Sequence, residues 1–204
     1  MPELLLATNN EGKVREYHAL LEGCGYKLVT PAEMGISIEV PETGKSFIEN
    51  AVLKAKAFAD ASGLLTLADD SGLEVDALGG APGIYSARYA GDKSSDADNI
   101  DFLLHNLTDV PEDRRSARFR CVIAIVSQSG GMLWTEGTVE GTIALVKKGL
   151  HGFGYDPVFY LPELGKTMAE LTPEEKNCLS HRASAASVAC ELLKQMRNSR
   201  QKGV

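Results

Sequence analysis

Apolar and polar residues alternate along this chain in two periods, one suited to strands and one to helices. Residues 4–8, "LLLAT", are an apolar run that predicts a strand, followed by the polar loop "TNNEG". Val14, Tyr17, His18 and Leu21 then recur at i, i+3, i+4 and i+7, which predicts a helix over residues 13–22. His18 lies on the apolar side of that pattern and reads as a core or boundary histidine. Short strands are expected at "KLVT", residues 27–30, and "ISIEV", residues 36–40. A helix over residues 46–61 carries Phe47, Ala51, Ala55 and Phe58 on one face, with Gly63 as its stop. The run "LLTLA", residues 64–68, predicts a strand that delivers two adjacent aspartates, Asp69 and Asp70.

After the Gly/Pro-rich stretch "LGGAPGIYSARYAG", a helix is expected over residues 96–106. The clearest strand signal follows: "RFRCVIAIV" and "MLWTEGTVEGTIALV" flank Ser129, Gly130 and Gly131 as a long antiparallel hairpin. Its first strand turns apolar on both faces after Cys121, which places it near the middle of a sheet. Thr172, Pro173 and Glu175 supply an N-cap, a proline at the first helical position and a glutamate at the third, a strong helix start. A last amphipathic helix runs over residues 180–196, and about residues 197–204 read as a loose, basic C-terminal tail. The fold class is therefore α/β: a mixed β-sheet with flanking helices forming two lobes around a central cleft, within one domain over residues 1–204.

The charge balance narrows the partners. A net charge of −7 argues against broad attraction to DNA or RNA, but it leaves room for a phosphorylated small molecule met by a local cluster of Lys and Arg. No run of 18 apolar residues occurs, so no membrane span is expected, and "MPELLLATNN" lacks the basic start of a signal peptide. Cys24, Cys121, Cys178 and Cys190 form no CxxC pair and read as reduced, mostly buried thiols of a cytoplasmic protein.

Four stretches carry candidate chemistry. In "ATNNEGKVRE" a strand, a polar loop with Gly and Lys, and a helix start make a phosphate cradle, although the P-loop pattern is absent. Thr8, Asn9 and Asn10 offer donors there and Lys13 a positive charge; Asn10 also suits a helix cap. In "GKSFIENAVLKAKAF" Ser46, Asn50 and Lys54 fall one turn apart on a single face, which on its own reads more readily as solvated. Glu39 and Glu42 stand on the loop before it. In "HGFGYDPVF" glycines flank Phe153, which suits close backbone approach and ring stacking on a flat ligand, or a tight turn with a core aromatic. In "EEKNCLSHRAS" Lys176 sits in a short helix, while His181 and Arg182 open the last one with donors for an anionic or carbonyl-bearing ligand. The Asp pair reads either as a strand end running into a turn or as a metal or acid–base site.

Taken in order, "ATNNEGKVRE", "ETGKSFIENAVLKA", "ADDSGLEVDALGGAPGIYSARYAG" and "GFGYDPVF…EEKNCLSHR" closely resemble the bacterial branch of the inosine triphosphate pyrophosphatase family, from about Leu4 to the last helix. The resemblance implies hydrolysis of ITP, dITP and XTP to the monophosphate and pyrophosphate, on an elongated two-lobe fold that is usually a homodimer. It implies that Thr8, Asn9, Asn10, Glu11, Gly12 and Lys13 contact phosphates and sugar, and that Lys54 adds charge against the triphosphate. Asp70 is implied as the catalytic carboxylate and a Mg²⁺ ligand, with Ser71 on the substrate. Phe153, Gly154, Tyr155 and Asp156 are implied as the loop against the base, and Lys176, His181 and Arg182 as its readers. The family commonly shows "EETG" where this chain has Pro41, Glu42, Thr43 and Gly44. Pro41 cannot ligate a cation, so the second ligand falls to Glu42 or Glu39, or the site relies on Asp69, Asp70 and water. Two rivals stand beside this reading. One is the related septum-inhibitor type of pyrophosphatase, acting on pyrimidine or modified nucleotides, against which "GFGYDP" and "SHR" weigh. The other is a nucleotide sensor without turnover, which the Pro41 departure favours and the Asp pair with its lysines opposes.

Overall fold

The computed structural model describes residues 1–201. In chain order the elements are β1 Glu3–Leu6, α1 Glu11–Leu20, β2 Lys27–Val29, α2 Phe47–Ser62, β3 Leu65–Val75, α3 Asp96–Asn106, β4 Ser116–Val126, β5 Met132–Ile143, β6 Phe159–Leu161, β7 Lys166–Thr167, α4 Pro173–Leu179 and α5 His181–Gln201. The strands form a seven-stranded sheet in the order β2-β1-β3-β4-β5-β6-β7. It is mixed: β1 pairs parallel with β2 and β3, while β6 pairs antiparallel with β5 and β7. The α/β class with flanking helices read from the sequence is therefore what the chain adopts, and β4 stands fourth of seven, as its doubly apolar second half requires.

Two compact units emerge from the contacts. One comprises Met1–Asp70, Cys121–Gly137 and the chain from Arg182; the other comprises Ser71–Arg120 and Thr138–His181. In the first, Leu4, Leu6, Leu65, Leu67, Ile123 and Ile125 of the strands pack with Tyr17 of α1 and with Ala185, Ala189 and Leu193 of α5. These three α5 residues recur every fourth position, so they line one face of the helix. In the second, Leu73, Phe119, Ile143 and Phe159 of the strands pack with Ile100 and Leu103 of α3. Each fully buried Leu or Ile contributes roughly 1.5–3 kcal/mol relative to exposure.

The helix starts follow their signals. Asn10 caps α1, its side chain accepting from the Lys13 N–H at 3.0 Å. Ser95 with Asp98, and Thr172 with Glu175, close capping boxes on α3 and α4. Helix α2 stops at Gly63 in the left-handed conformation. The turn over residues 127–131 between β4 and β5 is closed by Ser127 N–H donating to the Gly131 carbonyl at 2.9 Å.

Four expectations are corrected. Residues 36–40 form no strand: Ile36, Ile38 and Val40 are half-buried in alternation with exposed neighbours, which reproduces the strand pattern without a ladder, and β2 is the edge of the sheet. His18 is exposed rather than a core residue, because the helix presents Tyr17 and Leu21 to the interior instead. Helix α5 continues past Met196 through Gln201, into the segment read as a loose tail, because nothing helix-breaking interrupts "RNSRQ"; residues 202–204 lie outside the described residues. Most consequentially, the Asp pair does not end a strand. It sits within β3, which runs on to Val75.

Candidate active site

The placement of Asp69 and Asp70 inside β3 decides what each can do. Successive residues of a strand point to opposite faces, so two adjacent carboxylates are sent into different surroundings. Asp69 meets Lys13 and Arg182, with oxygen–nitrogen distances of 2.9 Å and 3.5 Å. Asp70 meets Lys54 at 2.8 Å and Asn50 Nδ2 at 3.3 Å. The pair is thereby split into two sites of unlike chemistry, both in the first unit.

On the Asp69 side, strand β1 leads through an exposed loop into α1. The loop is shaped by its own polar groups: Asn10 N–H donates to Thr8 Oγ1 at 3.2 Å, and the Asn10 side chain holds the Lys13 N–H. Asn9, Asn10 and Glu11 are exposed and Thr8 and Gly12 half-buried, so the helix start presents backbone N–H groups suited to an anion. Lys13 reaches from this start to Asp69. Arg182, 1% exposed, donates to Glu16 Oε2 at 2.6 Å as well as to Asp69, and lies over the Tyr17 ring at 5.9 Å. Burial raises the Asp69 carboxyl, but Lys13, Arg182 and Lys54 outweigh it and hold the group well below the usual carboxylate range. The Cys121 thiol, 3.8 Å from Asp69, is pushed up to about 12, first by burial and then by that carboxylate.

On the Asp70 side, Lys54 bridges two carboxylates, standing 2.8 Å from Asp70 Oδ1 and 2.8 Å from Glu42 Oε1. Helix α2 places Asn50 one turn before Lys54 on the same face. Asn50 is fully buried: its oxygen accepts from the Gly44 N–H at 2.8 Å while its amide donates to Asp70. Gly44 is required for this approach, since a Cβ there would come within 2.6 Å of the Asn50 oxygen and 2.7 Å of Glu49 Cβ. The loop that carries Glu42 is thus tied to the residue that also contacts Asp70. Burial lifts the Asp70 carboxyl above its ordinary value, with Glu42 adding to the rise, although Lys54 pulls it back. Burial would lower the Lys54 ammonium, yet Asp70, Asp69 and Glu42 keep it above its ordinary value and charged.

The second unit holds the remaining sequence candidates. Lys176 Nζ pairs with Asp156 Oδ2 at 2.5 Å, both side chains buried, and stands 4.8 Å over the Phe153 ring. The same Asp156 oxygen accepts from the Phe153 N–H at 2.9 Å. A side chain on Gly152 would strike that carboxylate, and its φ of +77° also favours glycine. His181 is buried and stacks on Phe119 with centroids 4.7 Å apart. Ser71, next to Asp70 on β3, is half-buried.

Donor chemistry bears on the expected cation. Among the described residues no group of three or more His, Cys, Asp or Glu side chains able to hold a metal occurs. Magnesium asks for less: one or two carboxylates, with substrate phosphates and water completing six oxygens. Asp70 and Glu42, converging on one ammonium, fit that demand. Asp69 pairs instead with Lys13 and Arg182, on the other face of β3 from Asp70, and Glu39 is exposed.

Asn50, which spacing alone assigns to a solvated face, belongs instead to the Asp70 cluster; its position one turn from Lys54 is the available signal. Glu16 and Cys121, both touching the Asp69 side, carry no local signal at all.

Comparisons with known proteins bear on the chain as a whole. A model of the Ham1 family matches residues 4–192. The dITP/XTP pyrophosphatase of Desulforamulus reducens is 53% identical over 194 residues, covering 95% of this chain and 96% of that protein. The dITP/XTP pyrophosphatase of Bacillus subtilis is 48% identical over 193 residues, covering 95% and 98%. Among solved structures, the Ham1 protein of Coxiella burnetii superposes with a TM-score of 0.87 at 42% identity over 96% of this chain and 100% of that one. The Staphylococcus aureus Ham1 protein does so with a TM-score of 0.85 at 44% identity, covering 95% and 99%. With a family model matching residues 4–192 and relatives about half identical over nearly the whole chain, the chain belongs to the Ham1 family.

Proposed function

We propose that this chain clears deaminated purines by hydrolysing ITP, dITP and XTP to the nucleoside monophosphate and pyrophosphate. It is a hydrolase of nucleoside triphosphates, as its dITP/XTP pyrophosphatase relatives are named. The observation that carries the mechanism is the Asp70–Lys54–Glu42 cluster: a buried carboxylate with a raised pKa beside a fixed positive charge. Such a carboxylate accepts a proton more readily than an ordinary one, which suits a general base. Asp70 takes a proton from the attacking water as an oxygen–phosphorus bond forms at the α-phosphorus and the bond to the bridging oxygen breaks, releasing pyrophosphate. Lys54 and Lys13 counter the negative charge that gathers on the phosphates, and in phosphoryl transfer such charge stabilisation outweighs proton transfer. Asp70 and Glu42 would hold Mg²⁺, which supplies further charge neutralisation and a more acidic water there. The N–H groups and side chains of residues 8–13 receive the phosphates and sugar, and Ser71, next to Asp70 in sequence, also contacts the substrate.

Base choice follows from donor and acceptor accounting. Hypoxanthine and xanthine present a carbonyl at C6, where adenine presents an amino group. Donors from Lys176, His181 and Arg182 suit the carbonyl and would face the amino group donor to donor. An unpaired buried donor costs about 1–3 kcal/mol, roughly 5- to 150-fold per contact. Phe153, with its ring beneath Lys176, stacks on the base.

We place the enzyme in the cytoplasm as a homodimer. All four cysteines are free thiols, and among the described residues no helix is long and apolar enough to cross a membrane. Met132, Leu133 and Trp134 stand consecutively exposed on β5, an apolar stretch suited to a second copy. A single-chain mass by light scattering would refute the dimer.

The test of function is pyrophosphate release from ITP, dITP, XTP, GTP, ATP and dTTP, with Mg²⁺ and with chelator. Metal-dependent turnover of ITP, dITP and XTP, with ATP slower by about tenfold or more, is expected. Preference for dTTP would support the septum-inhibitor type, and binding of ITP without turnover would make the protein a sensor.

A further inference from the structure

The loop over residues 153–156 is held from outside itself by two side chains. Gly154 N–H donates to Asp96 Oδ2 at 2.7 Å, and the Tyr155 hydroxyl donates to the Ser86 carbonyl at 2.8 Å. Asp96 is the first residue of α3, yet the helix start does not use it: Ser95 and Asp98 already close the capping box. Its carboxylate instead reaches a loop 58 residues away in sequence. An N–H bonded to a carboxylate belongs to the stronger class of hydrogen bonds, and Asp96 gains further from the positive end of the helix.

The supports are themselves fixed. Ser86, in the turn Gly83–Arg88, accepts from Leu73 N–H of β3 at 2.9 Å and donates to the Gly83 carbonyl at 2.6 Å. Asn99 of α3 binds that turn and the segment between it and the helix. It accepts from Ala90 N–H and Ser94 Oγ, both at 2.8 Å, and donates to the Ala87 carbonyl at 3.2 Å. The turn and α3 therefore act as one support with two handles on the loop. The Tyr155 ring is buried in the same unit's core, and burial, with Tyr89 and Asp96 nearby, keeps its hydroxyl protonated and able to donate.

We infer that Asp96 and Tyr155 are positioning residues for nucleotide recognition: they hold the 153–156 loop so that Phe153 and Lys176 are ordered before the base arrives. Tyr155 thereby moves from the substrate contacts implied by the resemblance to the support behind them, and Asp96 joins it. The inference rests on the reading that this loop faces the base. A preformed loop spares the ordering cost that a loose one incurs on binding. Because Asp70, Lys54 and Lys13 are untouched, the loss falls on KM rather than kcat.

The experiment measures kcat and KM for dITP in Asp96→Ala, Asp96→Asn, Tyr155→Phe and Phe153→Ala, with melting temperatures alongside. Asp96→Ala and Tyr155→Phe should each raise KM by about tenfold with kcat within about twofold. Asp96→Asn, which keeps an acceptor oxygen, should recover most of the loss. Tyr155→Phe keeps the ring in the core, so a folding failure in one variant leaves the other to decide. If Phe153→Ala raises KM while both support variants leave it unchanged and only lower the melting temperature, the inference is overturned and the loop's role stands. If Phe153→Ala itself leaves KM unchanged, the reading of the loop fails and the inference falls with it.

Discussion

Replacing Asp70 by asparagine should lower kcat by about 10³-fold or more while the protein keeps its fold and its melting temperature. The two halves of this expectation share one cause. Asp70 is buried among Lys54, Asn50 and Glu42, and its carboxyl is raised above the ordinary value. An acid whose folded pKa exceeds its unfolded one opposes folding once the pH is high enough to charge it. Removing that charge relieves this cost, and Lys54, which Asp70 helps hold above its ordinary value, keeps Glu42 as a partner, so the two effects on stability offset. Asparagine matches the carboxylate in size and keeps an oxygen to accept from Asn50 Nδ2 and Lys54. What it lacks is the ability to accept a proton from water at neutral pH. Calorimetry and steady-state kinetics on the same preparation check both halves. A variant within tenfold of the parent kcat would remove Asp70 from the role of base, whatever its melting temperature.

That the two aspartates differ so much is only partly legible in the sequence. Their identity and their place after an apolar run mark them as chemistry. Aspartate, however, is depleted from strands and enriched in turns, so the run reads as stopping at Ala68 where the strand in fact continues to Val75. Only the continuing strand sends the two carboxylates to opposite faces. Their partners come from distant segments, Lys13 and Arg182 lying 56 and 113 residues from Asp69. Helix α2 shows the same limit on a shorter scale. Its apolar stripe of Phe47, Ala51, Ala55 and Phe58 predicts the buried side correctly. Its polar side reads as solvated because spacing cannot reveal that the Gly44 loop folds over Asn50. Residues 36–40 fail in the opposite direction, since their alternation is real but a strand also needs a neighbour to pair with. Local signals with local causes, such as the caps at Asn10, Ser95 and Thr172, are readable throughout.

Asp69→Asn should behave as the mirror image of Asp70→Asn, losing stability of about 3–5 kcal/mol, which for a chain of this size lowers the melting temperature by roughly 6–20 °C. Asp69 is fully shielded from water and shared by Lys13 and the buried Arg182. Its folded pKa lies well below the ordinary value, so its charge contributes stability that is present above the unfolded value of about 3.9 and is lost as the pH falls through the folded one. The asparagine variant never has that contribution. The gap in melting temperature between parent and variant should therefore be widest near neutral pH and close as the pH falls below about 5. Activity should fall too, because Lys13 loses the contact that sets its position at the start of α1. That loss should be smaller than for Asp70→Asn, since the proton acceptor remains. Melting curves at several pH values decide the point. A gap that stays constant down to strongly acid pH would mean that the carboxylate's charge is not what stabilises this part of the fold. The buried guanidinium would then owe its place to Glu16 and the Tyr17 ring instead.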